Sequence, residues 1–217
     1  MLLYAITQRS LFSGTEEDRA KSLLAQASKL AAGGVHYLQI REKDLSLSAL
    51  GALAASIVTA VHSEGSSMRV LLNGPAAVAM ETNCDGIHLS SDSPENAALA
   101  ARRLYRQRGR DCTISAACHT LNEVRERRGY ADLLLFSPVF EKIEPQRIIH
   151  GVGLSALSQA VTTAQGVPVF ALGGVTVQNA HACTAAGAAG IAAIRLFYGE
   201  GWKAIAPHLP TSRRSSD

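Results

Sequence analysis

The 217-residue sequence is poor in aromatic residues and in net charge, and it has no long apolar run. Aromatic residues make up 5% of the chain and the formal net charge is +3, so no basic surface interleaved with aromatic residues is available for nucleic acid. No stretch approaches the roughly 18 consecutive apolar residues of a membrane-spanning helix. The first ten residues lack the basic lead of a signal sequence. We therefore expect a soluble cytoplasmic protein without a membrane or nucleic-acid partner.

The sequence also lacks paired cysteines. Its four cysteines show no CxxC spacing, which excludes a zinc site of that type and a dense disulfide framework. Isolated cysteines predict buried, reduced thiols, as is usual in the cytoplasm. They are Cys84, Cys112, Cys118 and Cys183.

Short apolar runs alternating with longer amphipathic runs are the main pattern that is present. Hydrophobic residues make up 47% of the chain, and short runs rich in Val, Ile and Leu are typical of strands buried on both faces. The predicted strands are 2–7, 37–41, 69–74, 86–90, 112–118, 133–139, 168–174 and 190–197.

The segments between these strands carry helix signals. Thr15 precedes three acidic residues, as an N-cap does, and Gly33-Gly34 stops that helix. The predicted helices are 15–32, 46–64, 120–129, 154–164 and 176–186, with a further helix opening at Ser93-Pro94-Glu95.

Eight strands alternating with helices predict an α/β fold, a single (β/α)8 TIM barrel. We expect one domain over residues 1–208 and a disordered tail at 209–217. A doubly wound open sheet is the alternative architecture.

Barrel enzymes place their reactive groups at the C-terminal ends of the strands. Alternation along the second strand predicts that Gln39, Arg41 and Lys43 point together into the barrel mouth, where two cations and an amide suit a phosphate or carboxylate. A second anion site is predicted at the glycine turn Gly173-Gly174, completed by the Ile194-Arg195 end of the eighth strand.

Further polar groups follow neighbouring strands. Asn73 and His88 end the third and fourth strands, and Asp92 follows the fourth, where it either holds a metal or caps the next helix. Cys118 and His119 are adjacent in sequence, so their side chains point in opposite directions on a strand and a thiolate nucleophile is not expected.

Five motifs together resemble a known family, that of thiamine phosphate synthase and its paralogue TenI, a thiazole tautomerase. The resemblance covers about residues 2–198. The motifs are Tyr4-Ala5-Ile6-Thr7, Gln39-Ile40-Arg41-Glu42-Lys43, Gly86-Ile87-His88-Leu89, Pro138-Val139-Phe140 and Pro168-Val169-Phe170-Ala171-Leu172-Gly173-Gly174-Val175.

The resemblance implies an enzyme of thiamine biosynthesis that binds a thiazole phosphate, and pairing into a homodimer. The synthase joins the thiazole to hydroxymethylpyrimidine diphosphate with Mg²⁺ and expels pyrophosphate. Gln39, Arg41 and Lys43 match its pyrimidine-diphosphate motif, and Asp92 matches one of its metal ligands.

Several positions depart from the synthase pattern. Asn73-Gly74 replaces Asn-Asp and so lacks one metal carboxylate, and Ala117 replaces a serine. Residues 141–145 replace the Thr-x-Thr-Lys loop after the sixth strand. These losses of polar contacts separate the chain from the synthase pattern. The chain is more similar to TenI, which also has Asn-Gly at the third strand end and the sequence Val-Phe-Glu after the sixth strand.

The resemblance to TenI implies tautomerisation of a thiazole carboxylate phosphate without a cofactor. TenI uses a histidine on its sixth strand, where this chain has Ser137. His119 and His150 are the candidates for a substitute proton carrier, with a structural role as the alternative for each, and we expect His119, Lys43 and Ser137 in the catalytic set. Two alternatives are a Mg²⁺-dependent synthase and a catalytically silent protein that binds a thiazole phosphate.

Overall fold

A computed structural model of the chain describes residues 1–63, 65–94, 96–144 and 147–206. Eight parallel strands form a closed barrel in the order β1-β10-β9-β6-β5-β4-β3-β2, which confirms the (β/α)8 barrel and excludes the open sheet. The barrel strands are β1 Leu2–Ile6, β2 Tyr37–Ile40, β3 Arg69–Leu72, β4 Gly86–Leu89, β5 Thr113–Cys118, β6 Leu133–Phe136, β9 Val169–Leu172 and β10 Gly190–Ala193. The predicted tail at 209–217 lies outside the described residues.

Helices follow the barrel strands and pack around the outside. The helices are α1 Glu16–Ala32, α2 Leu47–His62, α3 Ala76–Glu81, α4 Ala97–Arg106, α5 Leu121–Arg127, α6 Gly153–Ala164, α7 Ala180–Ala185 and α8 Arg195–Tyr198. Capping boxes begin α1 and α5, where the hydroxyls of Thr15 and Thr120 accept the amide three residues on. Within the described residues, none of the helices combines the length and apolar character needed to cross a bilayer.

Several predicted boundaries were wrong, chiefly at the C-terminal ends of the strands. The run 190–197 is not one strand, because β10 ends at Ala193 and Arg195 begins α8. The helices predicted to open at Pro94 and Thr176 begin later, at Ala97 and Ala180. The sequence reading also missed α3 and the antiparallel hairpin after β6, formed by β7 Lys142–Glu144 and β8 Arg147–Ile149.

The core has two layers, one inside the barrel and one between the barrel and the helices. The three aromatic rings of Tyr4, Tyr37 and Phe170 fill the interior, with centroids 5.6–5.7 Å apart. Strand alternation places Gln39, the second residue after Tyr37, on the same inner face, one layer closer to the C-terminal mouth. The aromatic layer therefore closes the barrel below the predicted site.

Candidate functional site

A row of four buried polar groups lies on top of the aromatic layer and forms the floor of the mouth. One of them is the hydroxyl of Tyr4, whose ring belongs to the aromatic layer. The Tyr4 hydroxyl donates to Gln39 Oε1 at 3.2 Å and lies 2.9 Å from Ser115 Oγ, which is 2.9 Å from His88 Nδ1. Gln39 and His88 were predicted site residues. Tyr4 and Ser115 were missed, because each makes these contacts with residues far away in the sequence.

His88 is held neutral at this floor. Burial, together with the nearby positive charges of Arg41 and Arg127, lowers the pKa of His88 from 6.5 to about 3. The side-chain amide of Asn73 donates to the His88 carbonyl at 3.3 Å, so the ends of β3 and β4 are tied together. At neutral pH His88 can therefore donate one hydrogen bond and accept another, but it carries no charge.

Arg41 and Lys43 bring positive charge to the same side of the mouth. Both follow the end of β2; Arg41 is half-buried and Lys43 is exposed. The pKa of Asp92 is lowered mainly by a 2.6 Å hydrogen bond from the Ser90 hydroxyl and by a backbone hydrogen bond. The positive charge of Lys43 lowers it further. Helix α4 begins at Ala97 with Asn96 at its N-cap position, so the prediction that Asp92 caps this helix was wrong.

A buried ion pair fixes the loop that carries Arg41 and Lys43. Glu42 accepts from the Thr7 hydroxyl at 2.6 Å and from the Arg9 guanidinium at 3.1 Å. Thr7 also accepts from the Arg41 amide at 2.9 Å. Because Thr7 and Arg9 follow β1, this pair connects the ends of β1 and β2, and alternation along one strand could not reveal it.

Arg127 was also missed by the sequence reading, and it connects the end of β5 to the loop after β4. Its buried guanidinium donates to the carbonyl of Ala117 and, at 2.9 Å, to that of Ser91. Ala117 lies near the end of β5 and Ser91 on the loop after β4, and a guanidinium with several N–H donors is well placed to satisfy both carbonyls. Arg127 thereby positions the segment that contains Asp92.

His119 and Ser137 meet on the other side of the mouth. His119 Nδ1 lies 2.8 Å from the Ser137 carbonyl and 3.3 Å from its hydroxyl. A ring nitrogen beside a carbonyl oxygen must carry the proton, so the neutral ring exposes Nε2 as a proton acceptor. The other candidate, His150, has an exposed side chain whose Nδ1 lies 3.2 Å from the Glu141 carboxylate.

Cys118 takes no part in this pair. It is fully buried in the outer core layer, and burial raises the pKa of its thiol to about 12. Both properties agree with the prediction against a thiolate nucleophile. All four cysteines are buried and free, as predicted.

The Gly173-Gly174 turn packs directly against the loop after β6. Both residues have positive φ, of 92° and 66°, and the Phe140 amide donates to the Gly173 carbonyl at 3.0 Å. The Gly174 and Val175 amides donate no hydrogen bond to any described residue, which leaves them available to an anion. Ile194 packs on the inner core cluster, and Arg195 is exposed at the start of α8.

The residues fit a magnesium ion that arrives with a phosphorylated substrate. Mg²⁺ takes oxygen ligands and is commonly held by one or two carboxylates together with substrate phosphates and water. Asp92 is an exposed carboxylate of this kind. The described residues contain no group of three His, Cys, Asp or Glu side chains that could enclose an ion.

Comparison with known proteins shows relatives over most of the chain. It is 34% identical over 195 residues to a putative thiamine-phosphate synthase from Geobacter sulfurreducens, covering 88% of this chain and 84% of that protein. It is 30% identical over 198 residues to putative thiamine-phosphate synthase 2 of Aquifex aeolicus, covering 90% and 96%. These relatives carry the synthase name, so the greater similarity to TenI stays a prediction.

A solved structure agrees on the fold. The thiamine phosphate pyrophosphorylase of Pyrococcus furiosus superposes with a TM-score of 0.72 at 22% identity, covering 93% of this chain and 90% of that one. The family described as thiamine monophosphate synthase matches residues 3–197. The chain therefore belongs to the thiamine monophosphate synthase family, a family of thiamine biosynthesis.

Proposed function

We propose that the protein is a Mg²⁺-dependent thiamine-phosphate synthase, which joins a thiazole phosphate to hydroxymethylpyrimidine diphosphate and releases pyrophosphate. The observation that carries this proposal is the arrangement of Arg41, Lys43 and Asp92 around the buried floor. Two cations and one carboxylate on a single side of the mouth suit a diphosphate that arrives with a metal ion. The synthase names of the relatives support the same reaction.

In the proposed reaction, the bond between the pyrimidine methylene carbon and the diphosphate breaks, and the thiazole nitrogen attacks that carbon. Mg²⁺ bound at Asp92 would neutralise charge on the departing diphosphate. Arg41 and Lys43 would stabilise the same developing charge, and these contacts strengthen as the leaving group separates. Gln39 and His88 would orient the pyrimidine ring from below.

The thiazole phosphate belongs on the opposite side of the mouth in this proposal. The free amides of Gly174 and Val175 would bind its phosphate, and exposed Arg195 at the start of α8 would add charge. Such a cradle needs no side chain other than that of Arg195. It serves either reaction of the family, because both begin from a thiazole phosphate.

Thiazole tautomerisation is the second candidate, and a specific observation favours it. In the neutral ring of His119 the Ser137 carbonyl holds the proton on Nδ1, which leaves Nε2 in the form that a general base requires. Gly74 stands where the synthase pattern has a second metal carboxylate. In this reaction His119 would move the proton with Ser137 beside it, Lys43 would bind the carboxylate, and no cofactor would be needed.

One set of variants separates the two reactions. We expect the wild type to release pyrophosphate from the two substrates only with Mg²⁺, and Asp92→Asn to lower kcat/KM about 100-fold. Asp111→Asn, an exposed change at the opposite end of the barrel, is the control and should stay within about twofold of the wild type. His119→Gln should also leave the synthase rate within about threefold.

The opposite pattern would support the second candidate. Conversion of the thiazole carboxylate phosphate without metal, lost about 100-fold in His119→Gln and unchanged in Asp92→Asn, would replace the synthase proposal. Calorimetric binding of the thiazole phosphate with no product in either assay would overturn both and leave a binding protein.

A further inference from the structure

The four polar side chains on the floor of the mouth form one continuous hydrogen-bond chain. It runs from Gln39 on β2 through Tyr4 on β1 and Ser115 on β5 to His88 on β4, with steps of 3.2, 2.9 and 2.9 Å. All four side chains are buried, with exposed fractions of 8% or less. A buried chain of this kind is stable only when every step has one donor and one acceptor.

The protons in the chain can be assigned from its first step. A hydroxyl group has a single proton to donate, and the Tyr4 hydroxyl donates to Gln39 Oε1. The Ser115 hydroxyl must then donate to the Tyr4 oxygen, so the Ser115 oxygen accepts from His88 Nδ1–H. His88 consequently has its proton on Nδ1 and none on Nε2.

Both ends of the chain face the mouth. Gln39 Nε2 and His88 Nε2 have no hydrogen-bond partner among the described residues. Among the described residues, Trp202 Nε1 is the only side-chain nitrogen or oxygen that is both completely buried and without a partner. Gln39 Nε2 and His88 Nε2 have no partner in that part of the chain, so each must keep some exposed surface. The floor therefore presents N–H donors at Gln39 and an acceptor at His88.

We propose that Tyr4 and Ser115 are positioning residues that couple the orientation of the Gln39 amide to the tautomer of His88. The reversed chain would turn Gln39 Oε1 towards the mouth and place the His88 proton on Nε2. Donor and acceptor would then exchange at both ends together. The pair is thus matched to a ring edge that offers an acceptor to Gln39 and a donor to His88.

The ligand part of this inference rests on the proposed function, which supplies a nitrogen-containing heteroaromatic ring. The coupling itself belongs to the ligand-free protein. His88 stays neutral over the working pH range because burial and two nearby arginine charges lower its pKa to about 3. A neutral imidazole must adopt one tautomer or the other, so the state of the chain can be measured directly.

Nitrogen-15 NMR of the His88 ring in the ligand-free full-length protein tests the coupling, with His88→Gln used to assign the resonance. In the wild type we expect Nδ1 to be protonated in about nine molecules of ten or more, as one buried hydrogen bond would impose. A wild-type His88 with its proton on Nε2 would overturn the proposal.

Two variants test the linkage through the chain. Ser115→Ala removes the acceptor of Nδ1–H, and Tyr4→Phe frees the Ser115 proton to turn towards Nδ1. Each should raise the Nε2–H form to about half or more of the molecules. Tyr37→Phe, whose ring stacks on Tyr4 outside the chain, is the control and should match the wild type.

An unchanged His88 tautomer in both Tyr4→Phe and Ser115→Ala would refute the coupling. Failure of the proposed function is distinguishable from this result. It would appear as a wild-type protein that forms no thiamine phosphate, and it would leave the His88 tautomer of the ligand-free protein as measured.

Discussion

Gly173 lies where the chain leaves β9 and meets the loop after β6. Its φ of +92° suits glycine, and a Cβ atom built there would lie 2.8 Å from Pro138 Cα and Cβ. Real Cβ atoms do not approach a neighbour so closely, so any other residue must displace one of the two loops. Those loops carry Ser137 and the free amide of Gly174. The geometry of this side of the mouth therefore depends on the absence of a side chain at residue 173.

We expect Gly173→Ala to lower both the free energy of unfolding and the affinity for a thiazole phosphate. Positive φ alone costs alanine about 1 kcal/mol, and the contact with Pro138 adds to that loss. Gly109→Ala is the matched control, because Gly109 has a φ of +67° but open space around its Cβ position.

Urea unfolding and calorimetry of both variants check this prediction. Gly173→Ala should lose at least about 1 kcal/mol more than Gly109→Ala, as a contact in a close-packed region requires. Thiazole phosphate binding should weaken only in Gly173→Ala. Equal losses of stability in the two variants would mean that the loops accommodate a methyl group.

At the scale of elements, β1 and β2 are joined at the mouth by charge as well as by the ladder. The Glu42 and Arg9 side chains keep only 3% and 7% of their surface exposed, and Glu42 also accepts from the Thr7 hydroxyl and from the Arg9 amide. Arg9 also pairs with Asp44 at 2.6 Å and with Glu16 at 2.9 Å, so neutralising Glu42 leaves the arginine paired and removes the charged acceptor of several buried hydrogen bonds.

Glu42→Gln should therefore destabilise the fold by about 2 kcal/mol, as the loss of buried hydrogen bonds to a charged acceptor implies. Glu16→Gln is the control on the same arginine, because Glu16 bonds Arg9 Nε at 2.9 Å with 60% of its side chain exposed. We expect it to cost a small fraction of the Glu42 loss. Free energies of unfolding in urea compare the two variants, and a loss in Glu16→Gln as large as that in Glu42→Gln would contradict the prediction.

The same elements show how far the sequence alone could go. Thr15 and Thr120 mark true helix starts because a capping box is a local signal. Thr176 was placed at a helix start because it follows the glycine turn after the seventh strand, but its amide donates to Asn179 Oδ1 and α7 begins at Ala180. The run 190–197 is apolar except for Arg195, and an apolar run does not distinguish a buried strand from a strand followed by a helix.

The candidate site likewise contains residues that local sequence patterns predicted and residues that they could not predict. Strand alternation predicted Gln39, because inward and outward positions follow from period two, and Asn73 and His88 were predicted from their place at strand ends. Ser115 and Arg127 could not be found that way. The partners of Ser115 lie 27 and 111 residues away, and those of Arg127 lie on β5 and on the loop after β4, so only the closed barrel brings them together.

At the scale of the whole molecule, burial of titratable groups on both layers of the core limits the pH range of stability. His88 has a pKa of about 3 in the folded chain against 6.5 for a free histidine. Burial also raises the pKa of the thiols of Cys84, Cys112 and Cys183 to about 11, and that of Cys118 to about 12, from 9.0. The folded state therefore favours neutral forms at both extremes.

The unfolding free energy should consequently be greatest between about pH 6.5 and pH 9. Below pH 6.5 the unfolded chain binds a proton at His88 that the folded chain refuses until about pH 3, so stability falls as the pH decreases. Above pH 9 the unfolded thiols lose protons that the folded thiols retain until about pH 11, so stability falls as the pH increases.

Urea unfolding at about pH 5, 7.5 and 10 measures both limbs of this curve. We expect a loss of up to about 2 kcal/mol between pH 7.5 and pH 5 that comes from His88, since each unit of pKa shift corresponds to about 1.4 kcal/mol. His88→Asn should remove that part of the acid limb and leave the alkaline limb unchanged. His150→Asn, which alters an exposed histidine, should keep both limbs, and an acid limb in His88→Asn as steep as in the wild type would show that other groups cause it.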